Sequence, residues 1–275
     1  MIIKDSIIRI VRGEPFYALT RYRSLTTELT KREILGRYRG ASFGMLWSIF
    51  SPFLMLMVYS FAFGRVMGNR WPQSHAGQSF SLILFVGLIV HGFLAESVIR
   101  GPTLVTGNVN YVKRIIFPLP ILPWPMLISA AFHLITNYLV FLGLSLILGS
   151  GISWLAVLFP LVMVPLFILS LGVAWILAAL GVYFRDISQI TGVLTTALLF
   201  TSSAIVPISA IAPKYQTIFK LNPLTFIVDQ ARNVALWGQF PDWIGLSIYT
   251  VTALAFAYLG FLIFLLAKGG FADVL

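Results

Sequence analysis

The chain has 275 residues, of which 59% are hydrophobic and 10% charged, and its formal net charge is +10. A soluble domain is usually about 45 to 50% apolar and about 25% charged, so lipid is predicted to be the main solvent here. The absence of cysteine excludes disulfides and cysteine metal sites, and in a lipid-embedded chain the positive charge indicates topology rather than nucleic-acid binding.

The N-terminal segment, residues 1 to 43, contains nine Lys or Arg residues and no apolar run long enough for a cleavable signal. Apolar residues recur at helical intervals between Leu19 and Leu29, and Thr30 and Glu33 have the spacing of a capping box. We expect an amphipathic helix on the cytoplasmic leaflet. Alternatively, these basic residues only fix the orientation of the chain.

A transmembrane helix needs about 20 mainly apolar residues, which predicts about six spans in a chain of this length. The apolar runs place them at residues 44–64, 80–98, 121–148, 154–182, 188–206 and 243–267. Pro160 and Pro165 interrupt the fourth run, where a kink is expected rather than a break. We therefore predict an all-α membrane protein with a membrane domain at 44–267 and a cytoplasmic tail at 268–275.

The Lys and Arg residues are distributed unevenly between the two sides of this arrangement. The side that holds both termini receives fourteen of them and the other side five. By the positive-inside rule, both termini are predicted to be cytoplasmic.

Two connections contain too much specific structure to be simple turns. The cytoplasmic loop 99–120 contains a series of prolines, and we expect a short helix parallel to the membrane there. The external segment 207–242 has four prolines between moderately apolar stretches. It is predicted to form two short helices or a re-entrant hairpin.

The motifs of nucleotide binding are missing from this sequence. It has no P-loop, no dinucleotide glycine fingerprint and no His-Glu-x-x-His zinc motif, and His75, His91 and His133 fall in different segments. No cofactor is expected in this chain, and an enzyme is not the first interpretation. An intramembrane enzyme remains the alternative from a different class.

Polar residues inside the predicted spans have two interpretations. Glu96 and Arg100 have the spacing of an ion pair, although a proton relay is the alternative. The stripe Ser129, His133 and Asn137 in the third span fits either hydrogen bonds between helices or the lining of a pore.

The first and fifth spans carry hydroxyl and aromatic side chains at helical spacing. The candidate conduit residues are Trp47, Ser48, Phe50, Ser51, Tyr59, Thr191, Thr195, Phe200 and Ser202. Hydroxyls exchange hydrogen bonds with a sugar chain, and aromatic rings stack on the apolar faces of sugars. The alternative is that the hydroxyls join helices and the rings face lipid.

Four segments carry a resemblance to a known family. Residues 29–52, LTKREILGRYRGASFGMLWSIFSP, closely resemble the start of ABC-2 type polysaccharide export permeases, particularly the Wzm-type O-antigen permeases. The segments NYVKRIIFP at 110–118, YFRDI at 183–187 and LNPL at 221–224 agree in order. Exporters of capsule and teichoic acid share much of this pattern.

This resemblance implies a type V exporter fold with six transmembrane helices per subunit in a homodimer. It also implies two separate ATPase subunits, which bind ATP and Mg²⁺, and a substrate polysaccharide on an undecaprenyl pyrophosphate carrier in the inner membrane. Arg37, Tyr38 and Arg39 match an interface helix, the 99–120 loop a coupling helix, and 207–242 external gate helices.

Because the chain has no nucleotide site of its own, force from the ATPase must enter through a cytoplasmic surface. The candidate coupling residues are Asn108, Asn110, Lys113, Arg114, Arg185 and Asp186. The alternative for Lys113 and Arg114 is that they only report the cytoplasmic side.

Overall fold

The structure is a computed structural model that describes residues 14–63, 80–112, 117–148 and 151–275. Within these ranges every regular element is helical. The α-helices are α1 (Glu14–Arg21), α2 (Arg23–Arg37), α3 (Trp47–Phe63), α4 (Phe80–Arg100), α5 (Thr103–Thr106), α6 (Val109–Val112), α7 (Pro123–Ile147), α8 (Phe159–Tyr183), α9 (Ile187–Phe200), α10 (Pro213–Leu221), α11 (Pro223–Arg232), α12 (Trp243–Ala267) and α13 (Phe271–Val274). Single 3₁₀ turns cover Gly44–Leu46, Leu119–Ile121, Trp154–Leu158, Ile208–Ala210 and Lys268–Gly270, and a π-helical turn covers Asn233–Trp237.

Four helical stretches in the described part of the chain are long and apolar enough to cross a membrane. They are Phe80–Arg100, Leu119–Ile147, Trp154–Tyr183 and Trp243–Val274. The predicted second, third, fourth and sixth spans are therefore confirmed as apolar helices. The predicted first and fifth spans correspond to the shorter apolar stretches Gly44–Val58 and Ile187–Phe200. Helix α8 runs through Pro165 without a break, as expected.

Helix α4 lies at the centre of the subunit, packed against α3, α7, α8, α9 and α11. It is apolar on all faces and most of its residues are buried, which is the pattern of a core helix rather than a lipid-facing one. Buried aromatic side chains surround it and direct their polar ends to backbone oxygens. Trp175 Nε1 donates to Pro120 O at 2.9 Å, and Trp124 Nε1 donates to Pro15 O at 3.2 Å. The first bond fixes the start of the third span against the fourth, and the second fixes it against α1.

Helices α8 and α12 approach each other closely at two glycines. A Cβ atom added to Gly260 would lie 2.5 Å from Gly172 O, and one added to Gly172 would lie 2.8 Å from Ala257 Cα. Small residues allow this backbone contact, and van der Waals packing is the main attraction between helices in lipid.

The Gly260→Ala variant is expected to lower the free energy of unfolding by about 1–3 kcal/mol, because its methyl group meets the backbone of α8. Thermal unfolding in detergent measures this loss. The matched control is Gly143→Ala in α7, where an added Cβ has nothing within 4 Å. Equal melting temperatures for the two variants would contradict the close packing.

Arg232 at the end of α11 joins three segments. Its fully buried guanidinium donates to Ile83 O at 3.0 Å, Ser203 O at 2.6 Å and Ala204 O at 2.7 Å. Gly87 makes room for this arrangement, since a Cβ there would lie 2.8 Å from Arg232 Nη2. The charge pattern places Arg232 among the external cations, but the structure buries it where α9 ends.

The two unusual connections are helical in part. The loop 99–120 contains two short helices, α5 and α6, rather than one, and the segment 207–242 contains the two helices α10 and α11. Before the first span, α2 packs along α7. The capping-box expectation is wrong: α2 begins at Arg23, so Thr30 and Glu33 lie inside the helix, and the Glu33 carboxylate accepts from Arg100 instead.

Candidate functional site

A cavity of about 580 Å³ lies where the end of α2 meets α3, α4 and α7. Residues from three separate sequence predictions line it: the interface helix, the first span and the polar stripe of the third span. Its polar lining includes Arg37, Tyr38, Ser48, Ser51, His133 and Asn137. The fold thus collects into one cavity side chains that the sequence spreads over a hundred residues.

A chain of alternating charges borders this cavity. Glu96 accepts from Arg37 Nη1 at 3.2 Å and from Arg100 Nη1 at 2.9 Å, and Arg100 also donates to Glu33. The predicted pair of Glu96 and Arg100 is confirmed. Arg37 and Glu33 extend it into a network that ties α2 to α4. Helix α2 is therefore held against the membrane domain by ion pairs at their boundary.

Tyr38 connects the network to the third span. Its hydroxyl lies 3.1 Å from His133 Nδ1, and the two rings meet edge to face. Burial raises the pKa of the Tyr38 hydroxyl, with Glu96 adding to the effect and Arg37 opposing it. The phenol thus stays protonated at neutral pH and keeps its capacity to donate. Arg39, the third predicted interface residue, is exposed.

The first-span candidates occupy different faces of α3. Ser48 is buried and Ser51 is exposed, and both line the cavity together with the half-exposed Trp47. Phe50 is exposed outside the cavity lining. The side chain of Tyr59 lies outside the described residues. Trp47 and the two serines are therefore the candidates from this helix that line the cavity.

The fifth-span candidates lie elsewhere. Thr191, Thr195 and Ser202 are buried, and their hydroxyls donate to backbone oxygens three residues earlier at 2.8 to 2.9 Å. His91 Nε2 lies 3.0 Å from Thr195 O, which binds α9 to α4. Only Phe200, at 63% exposure, presents its side chain outward among these four. The structure does not bring them to the cavity of the first span.

The coupling candidates lie in two places. Asn108 Nδ2 donates to Leu104 O at 2.9 Å and so ends α5, as expected of a residue that terminates a helix. Asn110 is exposed in α6, and Arg185 and Asp186 are exposed at the turn before α9. Lys113 and Arg114 lie outside the described residues. A contact absent from the sequence predictions, Arg32 Nη1 to Tyr111 Oη at 2.7 Å, ties α2 to α6.

In the described ranges, no three His, Asp or Glu side chains come together as metal ligands.

The sequence predictions miss two contacts, that of Arg37 with Glu96 and that of Arg232 with distant backbone oxygens. Arg37 was assigned to the interface helix without a partner, although Glu96 is the only acid in the second span. Arg232 gave a weaker signal, its position three residues after Asp229 in an otherwise apolar stretch.

The Glu96→Gln variant is expected to lower the free energy of unfolding by about 1–2 kcal/mol, because it leaves two guanidinium groups without their shared anion. The half-exposed position of Arg37 keeps the loss modest, since water screens that pair. Thermal unfolding in detergent measures it, with Glu28→Gln on the exposed face of α2 as control. Identical melting of the two variants would show that the network does not stabilise the fold.

Comparisons with known proteins agree along most of the chain. The family described as ABC-2 type transporter matches residues 24–236. The chain is 29% identical over 86% of its length to the O-antigen export system permease protein RfbA of Myxococcus xanthus, of which 87% is covered. It is 26% identical to the RfbA permease of Klebsiella pneumoniae, over 94% of this chain and 98% of that protein. It is 25% identical to the polysialic acid transport protein KpsM of Escherichia coli, over 83% of this chain and 88% of that protein.

Proposed function

This chain belongs to the ABC-2 type transporter family, and we propose that it is the transmembrane permease of an ATP-driven exporter of O-antigen polysaccharide. The observation that carries the proposal is the extent of the match, since relatives named as polysaccharide transporters align with 83% of the chain or more. Similarity to KpsM supports the second candidate, a permease for capsular polymers. Teichoic acid export is a further alternative from the motif resemblance.

The proposed assembly is a homodimer with two ATPase subunits that bind ATP and Mg²⁺. Six spans per subunit are proposed: the four long helices, α3 and α9. Both termini then lie in the cytoplasm of a cell with an inner membrane. The large apolar side chains exposed on α3 and α9, among them Phe53, Phe61 and Val193, support a second subunit or lipid as their cover.

The conduit is proposed to pass the cavity beside α3. Its lining combines hydroxyls with the aromatic ring of Trp47, as passage of a sugar chain on an undecaprenyl pyrophosphate carrier requires. Thr191, Thr195 and Ser202 belong to this path only if α9 moves relative to α4 during transport. The ring of Phe200 is exposed, but it does not line this cavity either.

The Ser51→Trp variant is expected to reduce export at least tenfold, since an indole placed in the cavity narrows it while the exposed position tolerates the larger side chain. Surface polysaccharide per cell measures this, with the amount of membrane-inserted chain determined in parallel. The control is Ser247→Trp, an exposed serine on α12 that is remote from the cavity lining. Normal export by the Ser51→Trp variant would show that the conduit does not pass this cavity.

Coupling is proposed to run through α5 and α6. Two contacts connect these helices to their neighbours. Arg32 on α2 donates to Tyr111 in α6, and Pro102, directly before α5, contacts Gly181 on α8. A displacement of this segment by the ATPase is therefore transmitted to both α2 and α8.

The proposal is tested by reconstituting the chain with its ATPase in vesicles and supplying polymer on undecaprenyl pyrophosphate. We expect ATP-dependent movement of polymer across the bilayer and hydrolysis that the polymer stimulates. O-antigen and polysialic acid chains, supplied separately, distinguish the two candidates. Chemical alteration of the polymer by the isolated chain, without any movement, would instead indicate an intramembrane enzyme.

A further inference from the structure

An open groove of about 780 Å³ lies between α2 and the first half of α7. Its volume is in the range of pockets that hold small organic ligands, about 300–1,000 Å³. The groove shares no lining residue with the cavity of the candidate site. It therefore needs an occupant of its own.

The walls of the groove are apolar, and one of them belongs to a proposed membrane span. Ile128 and Phe132 on α7 form one wall, and Ile34 and Leu35 on α2 form the other, with Leu35 49% exposed. Because α7 is a proposed membrane span, we place the wall formed by Ile128 and Phe132 beside the hydrocarbon of the bilayer. An apolar chain is the occupant that this surface fits.

The rim of the groove is polar and positively charged. Arg23 and Lys31 lie along one edge with the hydroxyl of Thr27 between them. Arg23 and Lys31 are eight residues apart on one helix, which corresponds to about 12 Å at 1.5 Å per residue. In the described part of the chain neither cation pairs with a carboxylate, whereas Arg37 and Arg100 do.

The lining of the groove also contains a buried hydroxyl. Thr30 lines the groove and is 9% exposed, and its hydroxyl has no hydrogen-bond partner among the described residues. The neighbouring Thr26 and Thr27 instead donate to the backbone one turn earlier, at 3.0 and 2.9 Å.

We propose that this groove is a binding site for an anionic phospholipid of the inner leaflet. One acyl chain lies between α2 and α7, and the phosphate contacts Arg23 and Lys31. A cation near the membrane surface contributes about 1 kcal/mol to the attraction of anionic lipid. The lipid holds the interface helix against the bilayer, and the ion network holds it against α4.

The experiment uses the full chain in phosphatidylcholine vesicles that contain a trace of photoreactive phosphatidylglycerol or of photoreactive phosphatidylcholine with the same acyl chains. Crosslinked peptides are mapped by mass spectrometry. We expect phosphatidylglycerol to crosslink preferentially to the α7 peptide that contains Ile128 and Phe132. Arg23→Gln and Lys31→Gln should each reduce that crosslink about fivefold and leave the phosphatidylcholine crosslink unchanged.

Two further variants complete the test. Arg39→Gln removes an exposed cation outside the groove and should change neither crosslink. Thr27→Trp fills the groove from its exposed side and should reduce both. The proposal is overturned if the two lipids crosslink equally to the unaltered chain. It is also overturned if Arg23→Gln and Lys31→Gln, like Arg39→Gln, leave the phosphatidylglycerol crosslink unchanged.

Two other occupants would be recognised by different results. Displacement of phosphatidylglycerol by a small excess of undecaprenyl phosphate would assign the groove to the transported carrier. Normal lipid crosslinks in Arg23→Gln and Lys31→Gln, together with loss of ATPase binding, would assign the rim to the partner protein. Either result overturns a phospholipid site, and neither affects the test of polysaccharide export.

Discussion

The Arg232→Met variant is expected to lose about 3–5 kcal/mol of unfolding free energy, because three buried backbone oxygens lose their charged donor. Methionine fills much of the same space, so the change mainly removes the bonds to Ile83, Ser203 and Ala204. It also leaves Asp229, 3.9 Å from the guanidinium, without this cation. Thermal unfolding in detergent and resistance to protease measure the loss.

Two companion variants separate lost hydrogen bonds from lost charge. Arg232→Lys keeps the charge but cannot reach three carbonyls in fixed directions, so we expect an intermediate loss. Arg185→Met removes an exposed arginine and should have little effect. If Arg232→Met melted like Arg185→Met, the buried guanidinium would not be holding the three segments together.

The Gly181→Ala variant is expected to abolish most export while the chain still inserts in the membrane. A Cβ at this position would collide with Pro102 O and lie 2.6 Å from Pro102 Cα. These are backbone atoms that cannot rotate away, so α5 must move off α8. Displacement of α5 breaks the proposed route from the ATPase, and we expect hydrolysis that no longer responds to polymer.

Export and polymer-stimulated ATP hydrolysis are measured together in reconstituted vesicles. Gly143→Ala in α7 is again the control, because its added methyl group meets no neighbouring atom within 4 Å. Export at the normal rate by Gly181→Ala would show that the contact of α5 with α8 does not transmit force, and the turn at Arg185 and Asp186 would become the next candidate.

The apolar runs were sufficient to predict the long helices almost residue by residue. The sixth run, 243–267, coincides with α12 (Trp243–Ala267). Such helices follow from local composition, since an apolar stretch of this length in lipid must satisfy its own backbone. The spacing of Glu96 and Arg100 was also sufficient, because an i,i+4 pair needs no knowledge of the fold.

Periodicity and composition could not predict contacts between segments that are far apart in the sequence. Arg37 and Glu96 are 59 residues apart, and Arg232 and Ile83 are 149 apart. Periodicity describes one helix at a time, so it cannot assign the partner of a charged side chain on another helix. For the same reason, the spacing of Thr191 and Thr195 could not show that both are buried in the subunit and donate to their own helix.

The bonds of Arg232 also impose an order on biosynthesis. The carbonyls of Ser203 and Ala204 are made 29 and 28 residues before the side chain that binds them. In hydrocarbon, backbone oxygens without donors are costly. The donor for these two oxygens does not exist when α9 has just been synthesised. We therefore expect the end of α9 to reach its final packing only after α11 has been made.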